Sequence, residues 1–228
     1  MLADQPQRAE RFANAMVYFN SNANLSPHHL CDAFDWDPAS HIVDVGGSTG
    51  STAVALAARL PHATIVIQDQ PALEGQARRS IPPELADRVS FVGHDFFREQ
   101  PVRGADVYHF RWIFHDWPDR YCLDLLRALI PALKPGARVV VSDFVMPESG
   151  GGGGGGGDGG GSGSASRYEE GLVRGFDLAM MELFNARERE RRDWEVLFAE
   201  ADSRFFLDGI RTVPGADLAF ISAIWKPA

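Results

Sequence analysis

The chain has 228 residues, which suits one large domain or a domain with a small appendage. Hydrophobic residues at 45% and charged residues at 23% are ordinary for a globular protein and unlike a disordered chain. With 22 basic and 31 acidic residues the net charge is −9, which argues against duplex DNA or an anionic membrane surface as a partner.

Residues 1–35 read as a short helical N-terminal segment, ahead of a larger domain over 36–228. Phe12, Met16 and Phe19 stand at i, i+4 and i+7, an apolar stripe that wants a partner surface. Ser26 and Pro27 read as the N-cap and first-turn proline of a second helix through Leu30, Cys31 and Phe34. From residue 41 strands and helices alternate. HIVDV is an apolar strand ending at Gly46-Gly47, and TAVALAARL after Gly50 is a helix. ATIVIQD is a strand ending at Asp69, followed by a helix near 71–79 and the strand RVSFVGHD. ADVYHF is the fourth strand, residues 118–133 the next helix, and ARVVVSD the fifth strand. Residues 148–166, ESGGGGGGGGDGGGSGSAS, read as a flexible surface insertion, because glycine and serine cannot bury a core. A helix over 168–184, another through Trp194 and Phe198, and strands near 204–210 and 217–225 complete the chain. Repeated βα units with nearly continuous apolar strands predict an α/β fold, a parallel doubly wound sheet covered on both faces.

Two cysteines, Cys31 and Cys122, stand far apart with no CxxC or Cys/His ligand spacing. Neither a disulfide scaffold nor structural zinc is expected, and a reducing compartment is the default. No apolar run reaches the roughly 18–20 residues of a membrane span, and the N-terminus lacks a signal-peptide core. The expectation is a soluble, cytoplasmic protein.

Candidate ligand residues gather at the C-terminal ends of strands, where doubly wound sheets bind. Asp44, Gly46, Gly47 and Gly50 form D-x-G-G-x-x-G at the first strand-to-helix turn. Glycines there let a ligand approach the backbone, and the helix start offers free N–H groups. The dinucleotide fingerprint G-x-G-x-x-G is missing, which disfavours a nicotinamide oxidoreductase. An acidic residue two places before the first glycine suits a ligand with a cationic amino-acid part, although a plain glycine-rich turn is the alternative. Asp69 after strand two is placed for ribose hydroxyls, and Asp95 after strand three for an adenine edge. Each of these aspartates alone is as readily a loop cap.

His115 lies just past strand four and Asp143 ends strand five, neighbouring strands with one C-terminal edge. Asp143 is expected to reach the histidine ring and fix its tautomer, the logic of a base oriented by a carboxylate. Glu188, beyond the glycine run, reaches the same ring only if the second segment folds back. Without context a loop histidine and a solvated helix-start glutamate are the commoner readings. Asp116 reads as a cap. The histidines at 28, 29, 41, 62, 94 and 109 show no metal spacing, and no metal is expected.

The stretches VDVGGSTG, VIQDQP, HDFF, RWIFHDWPD, LKPGARVVVSD and NARERERRDW resemble class I S-adenosylmethionine-dependent O-methyltransferases, of the plant caffeic-acid type and most of all the fungal secondary-metabolite branch. The resemblance runs from about residue 42 to 226 and implies a Rossmann-like, mostly parallel seven-stranded sheet with an antiparallel last strand. It implies S-adenosylmethionine as cofactor, held by Gly46 and its neighbours, Asp69, Asp95 and Phe96, with Arg111 where plant relatives carry lysine and Trp117 nearby. It implies His115 as general base with Asp143 and Glu188 beside it. Phe12, Met16, Met181 and Asn185 would line a pocket for a small aromatic acceptor, plain core packing being the competing reading for each. Relatives of this kind carry a further N-terminal region that makes a homodimer and closes the acceptor pocket, and the chain begins short of it. The alternative function is a cofactor-binding homologue that transfers no methyl group, either a regulatory partner or a catalyst of rearrangements.

Overall fold

The computed structural model describes residues 22–147 and 167–227. The Phe12–Phe19 stripe and the 148–166 insertion lie outside the described residues.

Before the glycine run, the described residues form α1 (His28–Ala33), β1 (His41–Val45), α2 (Ser51–Arg59), β2 (Thr64–Asp69), α3 (Glu74–Ser80), β3 (Val89–Gly93), β4 (Val107–Arg111), α4 (Asp119–Leu129), β5 (Arg138–Asp143) and β6 (Val145–Met146). After it come α5 (Arg167–Phe184), β7 (Arg189–Glu190), α6 (Arg191–Ala201), β8 (Phe205–Arg211) and β9 (Ala219–Trp225). The N-cap of α1 is Pro27 rather than the expected Ser26, one residue earlier, whose Oγ accepts from the His28 N–H at 3.3 Å. The helix expected near 71–79 begins as a 3-10 turn at Pro71–Leu73, and that over 118–133 ends as one at Ile130–Ala132. Pro71 has no N–H to donate and a φ already suited to a first turn. Pro131, by contrast, removes the donor that α4 would need to continue.

Seven strands form one sheet in the order β3-β2-β1-β4-β5-β9-β8. β1 to β5 run parallel, and β9 runs antiparallel to both its neighbours. The order reverses between β1 and β4, so the crevice for a ligand opens above their C-terminal ends. Val139 and Val141 pack with Phe110, Leu126, Trp194 and Phe198 on one side of the sheet. Val140 packs with Leu56, Ile65, Phe91 and Phe220 on the other. That is the period-2 alternation of a strand covered on both faces.

The second segment folds back on the first. β9 slots between β5 and β8, and β7 pairs in parallel with β6, Val145 opposite Arg189. The last turn before α6 is fixed by a capping box between Glu190 and Asp193, with the Glu190 N–H donating to Asp193 at 3.0 Å. This pairing brings the chain just before β7 over the end of β4. No helix among the described residues is long and apolar enough to cross a membrane.

Candidate active site

The glycine turn after β1 is closely packed. A methyl group on Gly46 would sit 2.5 Å from Ile113 Cδ1, and one on Gly50 2.3 Å from Ile67 Cδ1. Both residues also have positive φ, at 72° and 86°, which L side chains rarely adopt. Above the turn opens a cleft of about 240 Å³, lined by Asp44, the backbone of Gly46 to Thr49, Arg111, Trp112 and Ile113 among others. Asp44 is 1% exposed, and its Oδ2 has no hydrogen-bond partner. A buried carboxylate oxygen so placed calls for a donor. The orphaned carboxylate oxygen and the bare glycine floor fit a ligand with an ammonium group held against backbone.

Gly47 offers a test. A methyl group there would meet Asp44 at Oδ2 (2.5 Å), Cγ (2.8 Å) and the backbone carbonyl (3.0 Å), so the buried end of β1 would have to give. Gly47→Ala is expected to weaken ligand binding in this cleft about tenfold or more, read by calorimetric titration on protein whose fold is checked by circular dichroism. Unchanged affinity would mean that ligands stay clear of the turn.

Of the other residues expected around a cofactor, Arg111 lines this cleft, whereas Asp69, Asp95, Phe96 and Trp117 are not among its lining residues. Asp69 Oδ2 accepts from the Ser48 N–H at 2.9 Å and Oδ1 from Gln70 at 2.7 Å, tying the turn to the end of β2. Asp95 Oδ1 accepts from the Phe97 N–H at 3.0 Å, a loop-capping bond. Phe96 packs edge-on against Phe97 and Trp117, with ring centroids 4.9 and 6.2 Å away. Arg111 is held by the Leu25 carbonyl and lies over Trp112 at 5.8 Å. Burial lowers its pKa, against the pull of Asp44 and Asp143.

Trp112 and Ile113 were missed in the sequence. Trp112 has φ 60°, a strained conformation for so bulky a residue. It lines the cleft, and its ring stands 5.1 Å from that of His115. It therefore joins the cleft to a second cluster.

That cluster is built on the 3-10 turn Phe114–Asp116. His115 is 4% exposed, and its Nδ1 shares a hydrogen bond with Glu188 Oε1 at 2.9 Å. The expected pairing is therefore reversed. Glu188, which the sequence left conditional, holds the ring. Asp143, expected to hold it, is fully buried with neither oxygen hydrogen-bonded. Strand position put Asp143 at the correct edge but not within bonding reach. Asp116 is more than a cap, with Oδ1 3.5 Å from His115 Nε2.

The electrostatics follow from burial. Burial alone disfavours the charged His115 ring, but Asp143, the Glu188 bond and Asp116 together raise its pKa to about 9. Burial raises Asp143 to about 7, the His115 charge opposing. Burial likewise lifts Asp116 to about 6, against the His115 charge and with Glu188 adding to the rise. With Nδ1 engaged by Glu188, Nε2, 3.5 Å from Asp116 Oδ1, is the ring nitrogen that could take a proton from a substrate. The set can act as an oriented base with carboxylates ready to stabilise the imidazolium.

The pocket wall differs from expectation. Met181 is 59% exposed and Asn185 is exposed, with a left-handed φ of 53° that ends α5. Phe176 and Met180, at i and i+4, face inward instead, and Phe176 packs 5.9 Å from Trp112 and 4.5 Å from Phe144. Met181 lies about 100° further round the helix and so points away. Phe12 and Met16 lie outside the described residues.

The sequence model of the O-methyltransferase domain matches residues 2–204. The chain belongs to the O-methyltransferase family. It is 44% identical over 226 residues to the grayanic acid biosynthesis cluster O-methyltransferase of Cladonia grayi, covering 97% of this chain and 47% of that protein. It is 39% identical over 224 residues to the chlorophenol O-methyltransferase of Trichoderma longibrachiatum, covering 96% of this chain and 45% of that protein. The chain thus spans about half the length of the curated relatives it matches. Among solved structures it is similar to LaPhzM, with a TM-score of 0.78 at 27% identity over 98% of this chain and 60% of that one.

Proposed function

We propose that this O-methyltransferase chain moves a methyl group from S-adenosylmethionine to the phenolic hydroxyl of a secondary metabolite, with His115 as general base. The cofactor supplies a methyl group already activated by its sulfonium leaving group, so the protein has two tasks, alignment and proton removal. Asp44 and the glycine turn receive the amino-acid end of the cofactor, with Asp69, Asp95, Phe96, Arg111 and Trp117 around its nucleoside end. His115 Nε2 takes the phenolic proton. Glu188 fixes the ring, and Asp143 stabilises the positive charge that forms.

The observation that carries this reading is the buried His115–Glu188 bond at 2.9 Å beside a cleft whose floor is glycine and whose Asp44 carboxylate has one oxygen without a donor. A protein that only bound the cofactor would need no oriented base. The phenolic acceptor rests on the chlorophenol relative and on Trp112, which lines the cleft with its ring 5.1 Å from that of His115. Flat rings pack edge-on or offset against such a ring.

The test pairs titration of the chain with S-adenosylmethionine and a labelled-methyl assay over phenols, chlorophenols and aliphatic alcohols. Saturable binding with transfer to phenols is expected. Binding without transfer to any hydroxyl would favour the non-transferring alternative.

A further inference from the structure

Two buried polar groups that the proposed chemistry leaves unused, His109 and Ser142, form a chain with Asp44 under the cleft. His109 Nδ1 pairs with Asp44 Oδ1 at 2.8 Å, and His109 Nε2 pairs with Ser142 Oγ at 2.9 Å. The three residues come from β1, β4 and β5, adjacent strands of the sheet, and Asp44 stands directly opposite His109 in the register. Their chain neighbours Val43, Val45, Tyr108, Phe110 and Val141 all pack on the opposite side of the sheet. Strand alternation therefore sends all three side chains to one face. None is more than 1% exposed.

Burying a histidine and a serine beside a carboxylate is costly unless each is satisfied, and here each bond satisfies two groups. The carboxylate can only accept, so Nδ1 must carry a hydrogen. One Asp44 oxygen is then taken from below. The other, Oδ2, has no partner and is buried beneath Gly47, on the side of Asp44 that faces the cleft residues. A carboxylate pinned at one oxygen cannot rotate to withdraw the other.

We propose that His109 and Ser142 are positioning residues for ligand binding: a relay that fixes Asp44 so that Oδ2 is presented to an ammonium group in the cleft. Neither touches the ligand. The inference rests on the methyltransferase reading for the identity of that ammonium, the α-amino group of the cofactor's methionine part. The relay itself rests only on the strand geometry.

Two measurements test it. The first needs no ligand: ¹⁵N NMR of histidine-labelled protein should show His109 protonated at Nδ1. An unprotonated Nδ1 would overturn the relay. The second compares S-adenosylhomocysteine, which carries the ammonium, with 5′-methylthioadenosine, which does not. His109→Phe keeps a flat aromatic ring, somewhat larger than imidazole, but removes the donor to Asp44. It is expected to weaken S-adenosylhomocysteine binding about tenfold to a hundredfold, as loss of a hydrogen bond to a charged group does, and to leave methylthioadenosine binding unchanged. His109→Asn, which restores a donor at the Nδ1 position, should recover most of the loss. Equal weakening of both ligands, no weakening of either, or no recovery with asparagine would each overturn the proposal. Wild-type protein that binds neither nucleoside would instead sink the methyltransferase reading, and the ring measurement would still decide the relay.

Discussion

His115→Ala is expected to lower kcat by about 10²–10⁴-fold, the usual contribution of a positioned general base. Cofactor affinity should barely change, because His115 does not line the cleft that Asp44 and the glycine turn form. Single-turnover transfer of labelled methyl, with a parallel titration, separates the two effects. Unchanged turnover in a folded variant would remove His115 from the chemistry. The pH profile adds a second readout. A base must be neutral to accept a proton, and His115 stands at about 9 because its carboxylate neighbours outweigh burial. Turnover should therefore climb as pH rises toward 9. Glu188→Gln removes one of the charges that raise the ring, so the climb should move to lower pH while the plateau falls through lost orientation. Stability should run the other way. A histidine raised from 6.5 in the unfolded chain to about 9 contributes stability that is complete below pH 6.5 and lost as pH rises through 9. Urea midpoints at pH 6 and pH 9 check that sign. His115→Gln serves if the alanine variant leaves the surrounding carboxylates too unbalanced to fold.

Much of the scaffold behind this site was legible because strand and helix periods differ. Apolar runs broken by glycine and aspartate marked β1 to β5 and placed Asp44, His115 and Asp143 at one edge. What sequence spacing could not carry was side-chain direction across strands. Asp143 and Ser142 are consecutive, yet Ser142 turns to His109 while Asp143 is buried without a bond. The Glu188 contact depends on β6 and β7, two-residue strands far too short to read from periodicity. His109 in the sequence is one of several scattered histidines with no metal spacing. Its partners Asp44 and Ser142 lie 65 and 33 residues away, met only through the register of the sheet. On α5 the phase was off by one residue, Met181 for Met180, a step that turns an inward side chain to solvent.

The charged run Arg187–Arg192 hid a residue on which this site depends. Arg189 sits in a stretch that reads as a solvated helix start, but its side chain is 1% exposed. Its Nη1 donates to the Phe114 carbonyl at 2.8 Å and Nη2 to the Trp117 carbonyl at 3.0 Å, bracketing the turn that carries His115. Nε and Nη2 both donate to Asp119 Oδ1, at 3.0 and 2.7 Å, at the start of α4. The guanidinium also lies over Trp194, 5.4 Å from the ring centre. One dipeptide, Glu188-Arg189, thus holds the histidine ring with its first residue and the histidine's backbone turn with its second. Arg189→Met, which keeps much of the length without donors, is expected to destabilise the chain by about 2–4 kcal/mol, since two carbonyls lose their strongest donor and Asp119 loses two charge-assisted bonds. Arg189→Lys should recover only part, because a single ammonium cannot span both carbonyls and the carboxylate. In urea unfolding the midpoint should fall with the slope unchanged. In the folded fraction kcat should fall with it, while cofactor affinity holds, since the cleft lies on the other side of Trp112. A loss no larger than about 0.5 kcal/mol, the range of an ordinary surface substitution, would mean that the pairing of β6 with β7 alone sets Glu188 against the ring.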